Sequence, residues 1–204
     1  MSLIETCCTS LQEALAAQER GTDRIELCVD LAVGGVTPQR ELISSVVSGL
    51  RVPVNVLVRA VAPGFVCSER ALNQMIADIE FCKSAGAAGI VVGALSADGT
   101  IDLESMTRLV AAARPLPVTF HRAFDECTED PFVALEKVIG LGCARLLTSG
   151  MAPSAWEGRE LIAELVRRAG KRLIVMPGCG VTPDNLGPLS DYTHALEYHG
   201  TRLP

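Results

Sequence analysis

Aromatic side chains make up only 4% of this 204-residue sequence, and there is a single tryptophan, Trp156. A core built from Val, Leu, Ile and Ala follows, the composition of α/β proteins whose strands are covered on both faces. There is no run of Lys or Arg and no basic–aromatic stripe, and the net charge is −6, which argues against a nucleic-acid binder. No segment reaches the ~20 apolar residues of a membrane span. The start, Met1-Ser2-Leu3-Ile4-Glu5, lacks a basic region followed by an apolar one, so a cytoplasmic protein is expected. No Pro/Ser-rich linker or low-complexity tract divides the chain, and residues 1–204 are read as one domain. Eight cysteines are present, yet none forms a CxxC pair or a zinc-type spacing. In a reducing compartment most of them serve as small buried hydrophobes.

What is present is a succession of short apolar strands and helical patterns. Strands are predicted at 3–8, 24–29, 54–59, 88–93, 116–121, 144–148, 173–176 and 194–199. Helices are predicted after Ser10, from Thr37-Pro38, after Ser68, from Asp102, from Asp130-Pro131, from the box Ser154-Ala-Trp-Glu157, and from Thr182-Pro183. Eight strands with helical connections and no hairpin signal predict a TIM-type (β/α)8 barrel. It is incomplete, because only five residues follow strand eight and no final helix fits. A doubly wound open sheet is the alternative, and it would not bring all the strand ends together.

In a barrel of this type the functional face is the carboxyl end of the strands. The run Val118-Thr-Phe-His121-Arg122-Ala-Phe-Asp125 closes strand five with an imidazole, a guanidinium and a carboxylate. Alternation puts Glu5 with Cys7 on strand one, Glu26 with Cys28 on strand two, and Glu197 with His199 on strand eight. Arg59 ends strand three, and Thr148 and Ser149 end strand six. Burying such groups costs several kcal/mol each unless they are paired or meet a ligand. One reading is a self-satisfied ion-pair network, such as Glu26 with Arg59. The other is a ligand pocket. As an enzyme site it would use Glu26 or His121 as a base, with Arg59 and Arg122 on a small anionic substrate. Glu5, Asp125, Thr148, Ser149, Glu197 and His199 would line that pocket. The Gly178-Cys179-Gly180 turn before a helix start would dock a phosphate or carboxylate, unless it is simply a tight turn. Cys7 and Cys28, on adjacent strands with the same parity, offer two thiolates to a soft ion such as Cu(I), unless they only pack. The glutamates suit harder ions.

Arg24-Ile-Glu26-Leu-Cys28, Gly34-Gly-Val-Thr37-Pro38, the His121-Arg122-Ala-Phe-Asp125 run, Leu147-Thr148-Ser149-Gly150 and Met176-Pro-Gly178-Cys-Gly180 closely resemble the CutC family. The resemblance covers essentially the whole chain. It implies a cytoplasmic TIM-type barrel, usually a homo-oligomer, associated with copper tolerance and reported to bind Cu(I). The cysteines matching that proposal are Cys7 and Cys28. It also implies a polar pocket like an enzyme's, with no agreed reaction. This sequence departs from the family after Arg59, where Ala60-Val61-Ala62-Pro63-Gly64-Phe65 stands in place of Pro-Arg-Gly-Gly-Asp-Phe. It departs again at Cys179, usually Gly, and at Thr201, usually Ser. The family also continues past strand eight into a last helix. Either a partner subunit covers the wall between strands eight and one, or the chain is shortened and marginal. A barrel degenerated into a binding module is a third reading.

Overall fold

The computed structural model describes residues 2–60 and 62–203; Met1, Val61 of the altered loop and Pro204 lie outside them. The strands are β1 (Leu3–Cys8), β2 (Arg24–Leu27), β3 (Val54–Leu57), β4 (Gly89–Val92), β5 (Val118–Phe120), β6 (Arg145–Thr148), β7 (Ile174–Pro177) and β8 (Glu197–Gly200). Between them run α1 (Leu11–Glu19), α2 (Arg40–Gly49), α3 (Glu69–Ala85), α4 (Leu103–Ala113), α5 (Pro131–Gly140), α6 (Arg159–Ala169) and α7 (Pro183–Thr193). From β1 to β7 each strand pairs in parallel with the next, and β8 pairs with β1, giving the order β7-β6-β5-β4-β3-β2-β1-β8. β7 and β8 lie side by side and nearly close the ring, without a ladder between them among the described residues. This is the incomplete (β/α)8 barrel, with no helix after β8 among the described residues. None of the helices described is long and apolar enough to cross a membrane.

Several helices begin where side chains satisfy their free N–H groups. Ser10, Ser68 and Asp102 each accept the N–H three residues on, and Asp130 accepts from Phe132 and Val133 ahead of a first-turn proline. Thr182 and Asn185 form a reciprocal capping box. Three expectations fail for definable reasons. α2 begins at Arg40 rather than at Thr37-Pro38, because Val36 pairs with Val29 and Thr37 is tied to Arg59 through both its N–H and its hydroxyl. Ser154 Oγ does accept the Glu157 N–H, but this closes a turn whose Ala155 N–H is held by Cys179 O, and α6 starts only at Arg159. His194 does not open β8; it adopts φ 54° and caps the end of α7.

Alternation splits the apolar side chains into two groups. The larger lies between strands and helices and includes Ile25, Leu27, Val56, Ile90, Val92, Phe120, Leu146 and Tyr198. The smaller, Cys7, Cys28, Leu57 and Val91, lies inside the barrel. Beneath it the interior is charged. Arg24 is buried between Glu5 and Glu197, and Arg145 also reaches Glu197, at 2.7 Å. Asn55 donates to Glu5 at 3.1 Å. Each charge in this floor has an opposite partner, the condition under which such burial is tolerated.

Candidate functional site

Above this paired floor the barrel opens into a cavity of about 620 Å³ at the carboxyl ends of the strands. Cys7, Glu26, Cys28, Arg59, His121 and His199 contribute to its wall, with Arg122, Asp125 and Gly180. These residues come from six separate elements, so the fold gathers what the sequence scatters. Glu5, Thr148, Ser149, Gly178 and Glu197 are placed behind or below the cavity. Glu5 and Glu197 belong to the ion-pair floor. The Thr148 and Ser149 hydroxyls both go to Asp125, and the Gly178 N–H is spent on Thr148 O at 2.9 Å. A side chain at position 178 would clash with Leu147, which explains the glycine without any anion.

The β5 end is built around His121. Its backbone N–H still pairs with Val92 O, and its Nδ1 then accepts from Ala123 N–H at 3.1 Å, capping the short 3-10 turn at 122–126. The ring lies across Gly93 at the end of β4; a Cβ there would come within 2.4 Å of it. Because Nδ1 is an acceptor, the proton sits on Nε2, which is buried without a partner. Burial, and next the Arg59 guanidinium, push this imidazole down to about 3, so it is neutral at physiological pH.

Asp125 locks the neighbouring loop. Its carboxylate accepts from Thr148 Oγ1, Ser149 Oγ, and the N–H groups of Ser149 and Met151, and pairs with Arg122 Nε at 2.9 Å. Arg122, 42% exposed, stands at the rim.

Arg59 takes a course that the sequence does not reveal. It makes no ion pair with Glu26. Instead Nη1 donates to Val33 O and Gly35 O, and Nη2 to Gly64 O, with the guanidinium 4.5 Å over the Phe65 ring. Its Nε is buried and unpartnered, and burial lowers its proton affinity.

Across the mouth, His199 Nδ1 lies 2.9 Å from Glu5 Oε1 and 4.0 Å from Glu26 Oε2. Burial alone would keep this ring neutral, but the Glu26 and Glu5 carboxylates raise it to about 9. For Glu5, burial is overridden by His199 and Arg24, and the carboxyl falls to about 2. Glu26, with no hydrogen bond to Oε2, is pushed up to about 7 by burial and then by Glu5, against His199 and Arg24. Cys7 Sγ sits 3.3 Å from Cys28 Sγ, and Cys7, Glu26 and His199 present possible ligand atoms all within 4.8 Å of one another. Cys28, burial and Glu26 hold the Cys7 thiol far above its usual range, so it is protonated.

Three residues that matter here were not singled out from sequence. Arg24 has the parity of Glu26 and Cys28 and was legible in Arg24-Ile-Glu-Leu-Cys28. Arg145 and Phe65 carry no comparable local signal.

Residues 2–203 match the CutC family. A CutC protein of Parabacteroides distasonis is 45% identical over 198 residues, 97% of this chain and 81% of that one. The human copper homeostasis protein cutC homolog is 45% identical over 197 residues, 97% of this chain and 72% of its own length. A solved CutC structure from Streptococcus agalactiae superposes with a TM-score of 0.95 at 31% identity, covering 100% of both chains. Barrels of lower identity share the fold alone, among them an aldolase at 13% and a TM-score of 0.73. With family match, relatives and architecture in agreement, the chain belongs to the CutC family.

Proposed function

We propose that this protein binds Cu(I) as a copper homeostasis protein of the cytoplasm, using Cys7 and Cys28 as its ligands. The single observation that supports this is the pair of sulfurs 3.3 Å apart, set against Leu57 and Val91 in the wall of an open cavity. Soft sulfur donors in an apolar collar suit Cu(I) over harder ions. All eight cysteines are free, so the pair is available as thiols in a reducing compartment. The thiols must shed protons as metal enters, so affinity should rise with pH. An anaerobic Cu(I) titration against a competing chelator tests the reading. Stoichiometric uptake is expected in the wild type and not in Cys7→Ser/Cys28→Ser; equal affinity in the double variant would falsify it.

A second reading, an enzyme acting on a small anionic molecule, is favoured by one specific observation. Arg59 is a buried cation that lines the cavity and makes no ion pair among the described residues, with Glu126 of the same wall acting on it only at longer range. Thermal shift with small carboxylates and phosphate tests it, since a ligand at 100 times its Kd stabilises by about 2.7 kcal/mol.

A further inference from the structure

Among the described residues, three buried side-chain polar atoms lack a hydrogen-bond partner: Glu26 Oε2, Arg59 Nε and His121 Nε2. They come from three different strands, and all three residues line the same cavity. Elsewhere the interior is thoroughly paired, from Arg24 between its two glutamates to the five contacts on Asp125. A buried polar group left unpaired is destabilising, so three in one cavity point to a ligand that completes them.

The chemistry of the three atoms restricts that ligand. Ala123 N–H occupies His121 Nδ1, which makes Nε2–H a donor. Three of the four Nη–H groups of Arg59 go to backbone carbonyls, and its buried, unpartnered Nε–H is the second donor. Phe65 holds the two together, 4.5 Å from the Arg59 carbon and 5.0 Å from the His121 ring centre. Two donors flanking one ring, one of them a guanidinium with no ion pair among the described residues and only the longer-range influence of Glu126 on the same wall, fit a carboxylate. Glu26, beside Cys7 and His199 in the same cavity, needs a group that donates to a carboxylate or accepts from a carboxylic acid. A hydroxyl does either.

We propose that Arg59 and His121 jointly receive the carboxylate of a small hydroxycarboxylate whose hydroxyl meets Glu26. The inference rests on the second reading above and narrows its substrate class.

The chain has three histidines, and the exposed His194 serves as an internal reference. Protein labelled with ¹⁵N-histidine would be titrated with glycolate, glycerate, acetate and inorganic phosphate. The hydroxycarboxylates are expected to move the His121 Nε2 resonance and leave His194 in place. Acetate should bind roughly tenfold more weakly, having lost one hydrogen bond to a charged group. Arg59→Gln should abolish binding, and Glu26→Leu should erase the advantage of glycolate over acetate. The wild-type spectra are decisive by themselves, even where a variant fails to fold. If an anion binds while His121 stays fixed, or binds Arg59→Gln equally well, the subsite is overturned and the anion pocket stands. If none of the four probes binds, both fall.

Discussion

Nδ1 of His199 lies 2.9 Å from Oε1 of Glu5, and this contact joins the open cavity to the ion pairs beneath it. It has a consequence for alkaline stability. The folded chain holds a proton on His199 up to about pH 9, whereas the unfolded chain releases it near 6.5. Its contribution is therefore complete below pH 6.5 and disappears as pH rises through 9. Unfolding free energy should fall by on the order of 3 kcal/mol over that interval. Urea denaturation from pH 6 to 10 checks this: His199→Gln should lose most of the slope, and parallel curves for the two proteins would refute it.

His121 works in the opposite direction. Burial and Arg59 lower it to about 3, so the folded chain refuses a proton that the unfolded chain accepts near 6.5. Its stabilisation is present above pH 6.5 and declines as pH falls toward 3. Imidazole ¹⁵N shifts should show His121 still neutral at pH 5. A His121 titration midpoint near the ordinary 6.5 would contradict the assignment.

Asp125→Asn keeps the shape but turns an amide donor toward groups that are themselves donors. Thr148 Oγ1, Ser149 Oγ and two backbone N–H groups then compete for one oxygen. A loss of about 2–4 kcal/mol is expected by chemical denaturation. The loop after β6 should also become more susceptible to proteolysis, and an unchanged denaturation midpoint would count against this role.

Gly93→Ala tests the seat of the imidazole. The added methyl would come within 2.4 Å of His121 Cε1 and Nδ1, so the ring must shift. The expected cost is about 1–3 kcal/mol. Displacement of the His121 resonances without loss of fold would identify Gly93 as the floor under that ring; unaltered resonances would show that the ring has room to spare.

Much of this was legible in the chain. Strand positions follow from apolar runs, and the observed ends differ from them by three residues at most, the largest gap being at β8. Parity correctly turns Glu5, Cys7, Glu26, Cys28 and His199 inward, because a half-slip would have placed Ile25, Leu27 and Tyr198 inside instead. Partner choice was not legible. Glu26 and Arg59 carry opposite charges on neighbouring strands, yet the carbonyls of Val33, Gly35 and Gly64 claim the guanidinium. Glu5 and Glu197 pass for ligand groups until Arg24 and Arg145 are seen to neutralise them. Those pairs span up to 173 residues, a separation over which local pattern carries no information.

The ring of strands is stitched at seven boundaries and only abutted at the eighth, between β7 and β8. Thermal breathing should therefore part the wall along that line first, as a cylinder splits at its one unsewn edge. Backbone amides at the seam would exchange with deuterium ahead of their counterparts in β2 to β5. His199, standing on one lip of the split, would feel each opening directly.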